Sequence, residues 1–214
     1  ARPCPTLADA RVARVRRDIG VLYFKNGPAN AEKSFESAGA GLLPMKVLRR
    51  VDVTDLLTIQ DAIPLMRAAF EALANDAVSM PPRVFVKADR LGGSIAFMSA
   101  FVDPLDAMGM KAIALYADNP AKRSLPAILG SMLLFAADSG RTLALMDAGP
   151  ITAIRTAAVS ALATDLLARD DARVAGFIGT GVQARAHVLA LREVRPIRRI
   201  VAFSRTPSKT KDFA

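Results

Sequence analysis

A glycine-rich turn near the carboxyl end of the chain constrains the possible folds most strongly. The turn reads Gly179-Thr180-Gly181-Val182-Gln183, with Ala184 in the position of the third glycine. Residues 173–178 before it form an apolar run typical of a strand. Residues up to about 194 have a helical pattern, and residues 199–204 predict a second strand. This order is that of the opening of a doubly wound dinucleotide-binding unit, in which glycines let the backbone approach a pyrophosphate.

The residues after the second predicted strand bear on which nicotinamide cofactor such a unit would take. An acidic side chain that binds the ribose 2′-hydroxyl is expected there, but the chain has Ser204-Arg205. A hydroxyl and a guanidinium suit a 2′-phosphate, so we expect NAD(P) binding with NADP favoured over NAD. The alternative is that Arg205 is simply an exposed residue just past a strand. Too few residues follow Arg205 for a complete unit, so the sequence predicts only the first half of a Rossmann domain.

The region before the turn has a different pattern, typical of an α+β domain rich in strands. Thr58 to Asp61 matches a capping box at a helix start. Alternating apolar residues then predict an antiparallel meander or partial barrel rather than a parallel sheet, with strands at 83–88, 95–101, 110–116, 125–137 and 142–146. A helix from Thr152 to Ala168, with Thr152 as its cap, follows. We therefore predict a β-rich domain at 45–150 and, at 151–214, a connecting helix with the incomplete nucleotide-binding half.

Residues 1–44 have neither helical nor strand periodicity and contain several prolines and glycines. From Met45 the pattern changes abruptly to a strand. We expect residues 1–44 to be an upstream extension or a disordered arm. The alternative is a natural but loosely structured segment of the protein.

Composition excludes some kinds of site and partner. The chain has 29 Lys and Arg against 20 Asp and Glu, a net charge of +9. The basic residues are scattered, with the densest runs at 11–17, 49–50 and 195–199, and no aromatic residues between them, so we expect a solvated basic surface and no nucleic-acid partner. One Cys and one His make a structural zinc site implausible, and we expect no metal. No apolar run reaches the length of a membrane span, so a cytoplasmic location is the default expectation.

Three basic residues are candidates for binding an anion. Arg155 lies in the predicted helix that starts near Thr152, where a guanidinium and the helix dipole would together hold a carboxylate. Lys111 interrupts an apolar strand, and Arg83 follows two prolines. Taken singly, each has a simpler interpretation as a solvent-exposed cation. The single histidine, His187, receives no catalytic role.

Taken together, these segments resemble the ornithine cyclodeaminase/mu-crystallin family. The resemblance runs from Met45 to the end of the chain. The run Ile151 to Ala158, with Arg155 within it, is the most specific segment. The others are Pro81-Pro82-Arg83, Gly109-Met110-Lys111, Asp138-Ser139-Gly140, Ala144-Leu145-Met146-Asp147 and the glycine turn.

The resemblance implies a homodimer, when full length, whose β-rich substrate and dimerisation domain is built around a Rossmann domain. It implies that Arg83, Lys111 and Arg155 bind the carboxylate of an amino or imino acid and that Lys111 contributes to catalysis. It further implies that Arg155 and Thr156 approach the cofactor and that Val182 and Gln183 line its pyrophosphate. The family's catalytic Asp would lie beyond residue 214, so we expect this fragment to be inactive alone.

The expected activity is that of an ornithine cyclodeaminase, which converts ornithine to proline and ammonia through hydride transfer at the α-carbon. Reduction of ketimines such as pyrroline-2-carboxylate, or alanine dehydrogenation, would use the same carboxylate site. A non-catalytic, crystallin-like NADP-binding protein is an alternative of another class. Neither the motifs nor their spacing separates these possibilities.

Overall fold

The computed structural model describes residues 45–213. The expectation for residues 1–44 lies outside the described residues. Within them the chain forms a large mixed sheet, a group of packed helices and a small parallel sheet. This α/β arrangement confirms the predicted fold class, a β-rich part followed by the opening of a Rossmann unit. No helix in this part of the chain is both long and apolar enough to cross a bilayer.

The large sheet contains seven strands within residues 45–213, in the order β1-β7-β6-β5-β4-β2, with β3 also paired to β4. Their bounds are β1 (Lys46–Leu48), β2 (Val78–Ser79), β3 (Val84–Ala88), β4 (Gly93–Val102), β5 (Ala107–Tyr116), β6 (Ile128–Ala136) and β7 (Thr142–Asp147). Strands β4 to β7 form the predicted antiparallel meander. The short 3₁₀ turns Asp89–Leu91 and Asp103–Leu105 connect β3 to β4 and β4 to β5.

The strand predicted just after Met45 adds a parallel pair at one edge of this antiparallel meander. Strand β1 pairs in parallel with β7, with Lys46 opposite Ala144 and Leu48 opposite Met146. A parallel pair needs a long connection, and here most of the β-rich region lies between the two strands. The pairing of β1 could not be read from local alternation because it depends on residues almost one hundred positions away.

Six helices lie within the same described range: α1 (Arg50–Leu56), α2 (Ile59–Ala74), α3 (Asn119–Lys122), α4 (Ala148–Leu167), α5 (Val182–Val194) and α6 (Pro207–Lys211). The predicted cap of α2 is confirmed, since the Thr58 hydroxyl accepts a hydrogen bond from the Asp61 amide at 3.2 Å. Helices α1, α3 and α6 are short, and the apolar periodicity did not reveal them.

The predicted start of the long helix α4 is wrong. The helix begins at Ala148, one turn before Thr152, and its cap is Asp147, whose carboxylate accepts a hydrogen bond from the Gly149 amide at 2.7 Å. Gly149-Pro150 reads as a break, but proline is tolerated in the first turn because its missing amide has no intrahelical partner there. Thr152 is consequently internal, and the predicted boundary at residues 150/151 falls within the first turns of a continuous helix.

Helices α2, α4 and α5 pack together through small side chains. Ala157, Ala161 and Ala190 are fully buried and form a core with Ile59. Helix α4 is rich in alanine and buries Ala148, Ala153, Ala157, Ala158, Ala161 and Leu162. Alanines at the contact let the helix backbones approach closely, which fixes α5 against α4.

A buried arginine secures the far end of α4. Arg195 is only 6% exposed and donates to the carbonyls of Thr164, Asp165 and Ala168 at 2.9–3.0 Å and to that of Arg169 at 3.0 Å. The carbonyls of Asp165 and Ala168 are among those that a helix end leaves without partners, whereas the Thr164 carbonyl also accepts from the Ala168 amide at 2.9 Å. The expectation that the basic run 195–199 is a solvated surface is therefore wrong for Arg195.

The small sheet pairs β8 (Val174–Ile178) with β9 (Arg199–Phe203) in parallel, connected by α5. Ile178 lies opposite Phe203, so the two strands end at the same edge. The turn that follows β8 and the residues that follow β9 consequently emerge side by side, as the predicted nucleotide-binding unit requires.

Candidate active site

Lys111 lies near the middle of β5, flanked by methionines. In the sheet register it pairs with Met98 on β4 and with Met132 on β6, so the three side chains share one face. Burial lowers the pKa of the Lys111 ammonium, and the positive charges of Arg155 and Arg83 lower it further. The sequence left open whether Lys111 faces solvent or is desolvated, and the structure favours a desolvated amine.

Arg155 and Arg83 reach the same region from different elements. Arg155 lies on α4 and Arg83 immediately precedes β3, so the helix and the sheet edge each contribute one guanidinium. Partial burial lowers the pKa of Arg155, with a smaller contribution from the charge of Arg83. Both arginines still retain substantial solvent exposure as whole residues. Three sequence-predicted cations therefore converge, although they are far apart along the chain.

The helix-dipole argument for Arg155 is not supported. Because α4 begins at Ala148, Arg155 is two turns inside the helix rather than one. The favourable effect of the amino-terminal dipole is confined to the first turn. Helix α4 instead places Arg155 near Lys111, because the charge of Arg155 contributes to lowering the pKa of Lys111.

The cationic cluster, defined as Arg83, Lys111 and Arg155, has no anionic partner within residues 45–213. Other basic residues there form ion pairs, for example Arg50 with Asp147 at 3.3 Å and Arg67 with Asp165 at 3.7 Å. None of the three cluster residues takes part in an ion pair or side-chain hydrogen bond in that range. Like charges held together at a partly desolvated site are unfavourable unless an anion neutralises them, so the cluster is suited to a carboxylate.

A cavity of about 540 Å³ opens beside the cluster. Arg83, Met98 and Met132 line the end nearest Lys111, and further residues of β4, β5 and β6 continue its wall. The volume falls within the roughly 300–1,000 Å³ of small-molecule sites. Arg83 is the cluster residue that lines the cavity, and Lys111 adjoins it through its cross-strand neighbours Met98 and Met132.

The glycine turn has the geometry that a pyrophosphate needs. Gly179 has a φ of +105°, which other residues adopt only with strain, and its amide donates to the Phe203 carbonyl at 2.8 Å. A Cβ atom placed on Gly179 or Gly181 would meet no atom within 4 Å, so the space above the turn is open. Gly181 precedes α5 without a side-chain cap, which leaves the first amides of the helix to a ligand. The residues present therefore fit a dinucleotide.

Thr180, Val182 and Gln183 occupy this turn and the start of α5, as predicted. Ser204 and Arg205 follow β9 at the same sheet edge. The Ser204 hydroxyl accepts a hydrogen bond from the Thr206 amide at 3.3 Å, and Arg205 is exposed. Their placement beside the glycine turn is compatible with binding of the adenosine ribose.

Two threonines on α4 differ in their hydrogen bonding. The hydroxyl of Thr156, predicted to approach the cofactor, donates to the Thr152 carbonyl at 2.7 Å. The hydroxyl of Thr152 is buried with no partner among the described residues. The cofactor role of Thr156 remains a prediction, and its hydroxyl oxygen keeps lone pairs that can accept a hydrogen bond.

His187 connects helices α4 and α5 through hydrogen bonds that the sequence did not indicate. Its Nε2 lies 2.9 Å from the hydroxyl of Ser160 on α4, and its Nδ1 lies 2.7 Å from the Gln183 carbonyl in the first turn of α5. A carbonyl can only accept, so in the neutral ring Nδ1 carries the proton and Nε2 accepts from Ser160. The helix of Arg155 is thereby joined to the helix of the glycine turn. The spacing of four between Gln183 and His187 was the available signal.

The described range brings no three His, Cys, Asp or Glu side chains together as potential ligands of a metal ion. Within residues 45–213, the candidate site comprises the cationic cluster, the apolar cavity and the glycine turn.

Solved structures and curated proteins are similar to this chain in fold and sequence. A Δ1-pyrroline-2-carboxylate reductase of Thermococcus litoralis, solved with NADH and L-proline, is 37% identical with a TM-score of 0.76, covering 79% of this chain and 52% of that one. An archaeal alanine dehydrogenase dimer with bound NAD is 31% identical with a TM-score of 0.74. The match covers 79% of this chain and 51% of the dehydrogenase chain. L-lysine cyclodeaminase of Streptomyces rapamycinicus is 32% identical over 178 residues, which cover 79% of this chain and 52% of the cyclodeaminase.

The chain spans about half the length of the curated relatives that it matches, for example 52% of one at 36% identity. The region of similarity coincides with the described residues. The family model for the ornithine cyclodeaminase/mu-crystallin family matches residues 44–214. The chain belongs to the ornithine cyclodeaminase/mu-crystallin family.

Proposed function

We propose that the full-length protein is an NAD(P)-dependent reductase of α-imino acids, which are reduced at the α-carbon to the corresponding amino acids. The observation that carries this proposal is the cationic cluster of Arg83, Lys111 and Arg155, which has no carboxylate partner among the described residues. Burial lowers the pKa of Lys111, and the charges of Arg155 and Arg83 lower it further. A site that gathers three cations beside an apolar cavity is suited to a small carboxylic acid. The reaction consumes the imine, the reduced cofactor and one proton.

Related proteins support this type of chemistry. The Thermococcus litoralis relative is a Δ1-pyrroline-2-carboxylate reductase in complex with NADH and L-proline, and a ketimine reductase mu-crystallin of Mus musculus is 34% identical to this chain. Both names describe reduction of a carbon–nitrogen double bond. In the alanine dehydrogenase relative the bound group is NAD.

The proposed roles of the residues follow from their positions. Arg83 and Arg155 hold the carboxylate from the sheet edge and from α4, which orients the α-carbon. The Nζ of Lys111, whose pKa is lowered mainly by burial, binds the carboxylate and provides a proton near the imine nitrogen more readily than an ordinary lysine would. The imine nitrogen must gain a proton for the α-carbon to accept a hydride, so a proton held beside it assists the reaction.

The glycine turn and the start of α5 would hold the cofactor. Gly179, Thr180 and Gly181 surround the open space above the turn, while Val182 and Gln183 begin the helix. When bound there, a reduced nicotinamide cofactor supplies the hydride. Ser204 and Arg205 favour a 2′-phosphate, and we propose NADP as the preferred form.

Ornithine cyclodeaminase activity is the second candidate, and the L-lysine cyclodeaminase relative supports it. That reaction shares hydride transfer at the α-carbon but also needs room and a partner for a second amine. We also propose a homodimer for the full-length protein, because the alanine dehydrogenase relative is described as a dimer.

The proposal is tested by reduction assays of full-length protein with NADPH and NADH. Δ1-Pyrroline-2-carboxylate carries its double bond at the α-carbon, whereas its isomer Δ1-pyrroline-5-carboxylate carries the double bond at the opposite side of the nitrogen. Both yield proline, so only the position of the reduced bond differs. We expect turnover of the first and at most a trace with the second. Turnover of neither compound, or of both equally, contradicts the proposed function.

A further inference from the structure

We infer that Ser160 and His187 are positioning residues, whose hydrogen bond fixes α5 along α4 and thereby sets the distance between the glycine turn and the cationic cluster. The inference rests on the proposed function, because a reaction between a carboxylate bound at the cluster and a cofactor bound at the turn requires that distance to be fixed. It goes beyond that function by assigning a role to two residues outside both binding sites.

The two binding sites are carried by different helices. Arg155 belongs to α4, whereas the glycine turn leads directly into α5, which begins with Val182 and Gln183. A hydride passes efficiently between two bound molecules only when the reacting atoms are held roughly 3–3.5 Å apart. The position of α5 along α4 therefore contributes directly to the rate of the proposed reaction.

The packing between α4 and α5 brings the helices close but offers little resistance to sliding. Ala157 and Ala161 on α4 and Ala190 on α5 are fully buried at the contact, while the larger Ile154 and Val194 are only partly buried there. Methyl groups interlock less than long side chains do, and packed helices can slide along each other by small shear motions. Directional contacts are consequently needed to hold α5 in one position.

Hydrogen bonds within residues 45–213 supply this direction at two places. Beyond the last turn of α5, the Arg195 guanidinium donates to the carbonyls of Thr164 and Asp165 on α4. In the first half of α5, the Ser160 hydroxyl lies 2.9 Å from Nε2 of His187. The contact between Ser160 and His187 is the nearer of the two to the glycine turn along α5, so it has the greater influence on where the turn lies.

His187 also contacts the first turn of its own helix. Its Nδ1 lies 2.7 Å from the carbonyl oxygen of Gln183, four residues earlier. Ser160 lies between one and two helical turns beyond Arg155 on α4. One imidazole ring therefore joins the part of α4 near the cluster to the first turn of α5. A shift of α5 that breaks the bond to Ser160 would displace the glycine turn relative to Arg155.

Three substitutions separate the bond to Ser160 from the other properties of the ring. Ser160→Ala removes the hydroxyl and leaves the imidazole in place. His187→Gln can place an oxygen near the position of Nε2 and still accept from Ser160. His187→Asn reaches only the position of Nδ1, where its amide keeps a donor for the Gln183 carbonyl. Thr58→Ala, which removes the cap of α2, is the control for a general loss of stability.

The rate of pyrroline-2-carboxylate reduction is measured in a single turnover of full-length protein with saturating reduced cofactor, which isolates the chemical step. We expect Ser160→Ala and His187→Asn each to lower this rate by about tenfold, because a small misplacement of the reacting atoms is costly. His187→Gln and Thr58→Ala should retain it. The double variant of Ser160→Ala and His187→Asn should lose no more than either single variant, since both remove the same contact.

An unchanged rate in Ser160→Ala and His187→Asn, or an equal loss in His187→Gln and His187→Asn, overturns the inference while leaving the proposed function intact. Absence of reduction by the unmodified protein overturns the proposed function, and the inference with it. If His187→Asn does not fold, Ser160→Ala decides between these outcomes, because it leaves the ring in place.

Equilibrium binding gives a readout that does not depend on turnover. The positioning variants leave the groups of each binding site unchanged. We therefore expect the Kd of NADPH, measured by fluorescence, and the Kd of L-proline, measured by calorimetry, to change by less than about threefold when each ligand is added alone. A loss of affinity for either ligand that matches the loss of rate would show that Ser160 and His187 build a binding site, and would overturn the inference.

Discussion

Lys111 on β5 and Arg155 on α4 lie close enough that the Arg155 guanidinium adds to the effect of burial in lowering the pKa of the Lys111 ammonium. The two cations come from separate parts of the fold, and each also experiences the positive charge of Arg83. Such an arrangement opposes folding and favours anion binding. A residue kept for structural stability would be expected to have a carboxylate partner, as Arg195 has in Asp165 at 3.1 Å.

Replacing Lys111 with methionine is predicted to stabilise the protein and to abolish carboxylate binding. Burial lowers the folded-state pKa of Lys111 below the ordinary value of 10.5, so folding disfavours the charged form. The destabilisation is fully present at neutral pH and disappears as pH rises through the lowered pKa toward that value. We expect Lys111→Met to raise the melting temperature at pH 7 by about 2 °C, or ~0.5–1 kcal/mol. The control Lys87→Met, on the exposed strand β3, should change it little. A fall in the Lys111→Met melting temperature contradicts this account.

Arg205 is predicted to select NADP. Its position beside Ser204, after β9, is at the sheet edge of the glycine turn. Arg205→Ala should weaken NADPH binding by ~1–3 kcal/mol and NADH binding much less, because a charge-assisted contact to the 2′-phosphate is lost. Fluorescence titration of full-length protein with both cofactors measures this difference. Arg199→Ala, at the opposite end of β9, is the matched control. Tighter binding of NADH than NADPH by the unmodified protein would refute the cofactor preference.

Arg195 is predicted to be a structural residue whose fork-shaped guanidinium lysine cannot replace. It donates to carbonyl groups from Thr164 to Arg169 at the end of α4. Arg195→Lys should lower the free energy of unfolding by ~2–4 kcal/mol, since several carbonyls at the partly buried end of α4 lose a charge-assisted donor. The exposed Arg198→Lys should change it by less than about 0.5 kcal/mol. Urea denaturation measures the free energy of unfolding of both variants. An Arg195→Lys variant with unchanged stability would show that water can replace the guanidinium.

The ring of His187 is predicted to be protonated at Nδ1 when it is neutral. The Gln183 carbonyl at 2.7 Å requires a donor at Nδ1, which leaves Nε2 to accept from Ser160. The ring ¹⁵N chemical shifts of labelled protein report the tautomer directly. We expect Ser160→Ala to retain the Nδ1–H form and to lower stability by ~1 kcal/mol. Observation of the Nε2–H form at neutral charge would show that the hydrogen-bond directions are reversed.

Local sequence patterns predicted the elements that are determined by residues close together in the chain. Thr58 caps α2 through its own side chain, and the glycine turn lies between a strand and a helix in sequence and structure alike. Strands β4 to β7 alternate and connect by turns, so periodicity found them. Their bounds shifted by a few residues because strand ends depend on pairing, which periodicity does not contain.

The remaining features depend on contacts between distant residues. The parallel pairing of Lys46 with Ala144, the burial of Arg195 and the bond between Ser160 and His187 all join separate elements. The start of α4 was missed because the pattern favoured Thr152 as the cap, whereas Asp147, directly after the predicted strand at 142–146, is the cap in the structure. The residues of the cationic cluster were chosen from the family resemblance, and only the fold shows that their charges influence one another.

The most direct test of the account is the effect of Arg155→Lys on imine reduction by the full-length protein. Lysine keeps the positive charge but lacks the planar fork that binds a carboxylate at two points. With pyrroline-2-carboxylate as substrate we predict a loss of ~2–4 kcal/mol in kcat/KM, about 30-fold to 1000-fold, with cofactor affinity changed much less. A near-normal kcat/KM in Arg155→Lys would contradict the account and leave the carboxylate to Arg83 and Lys111 alone.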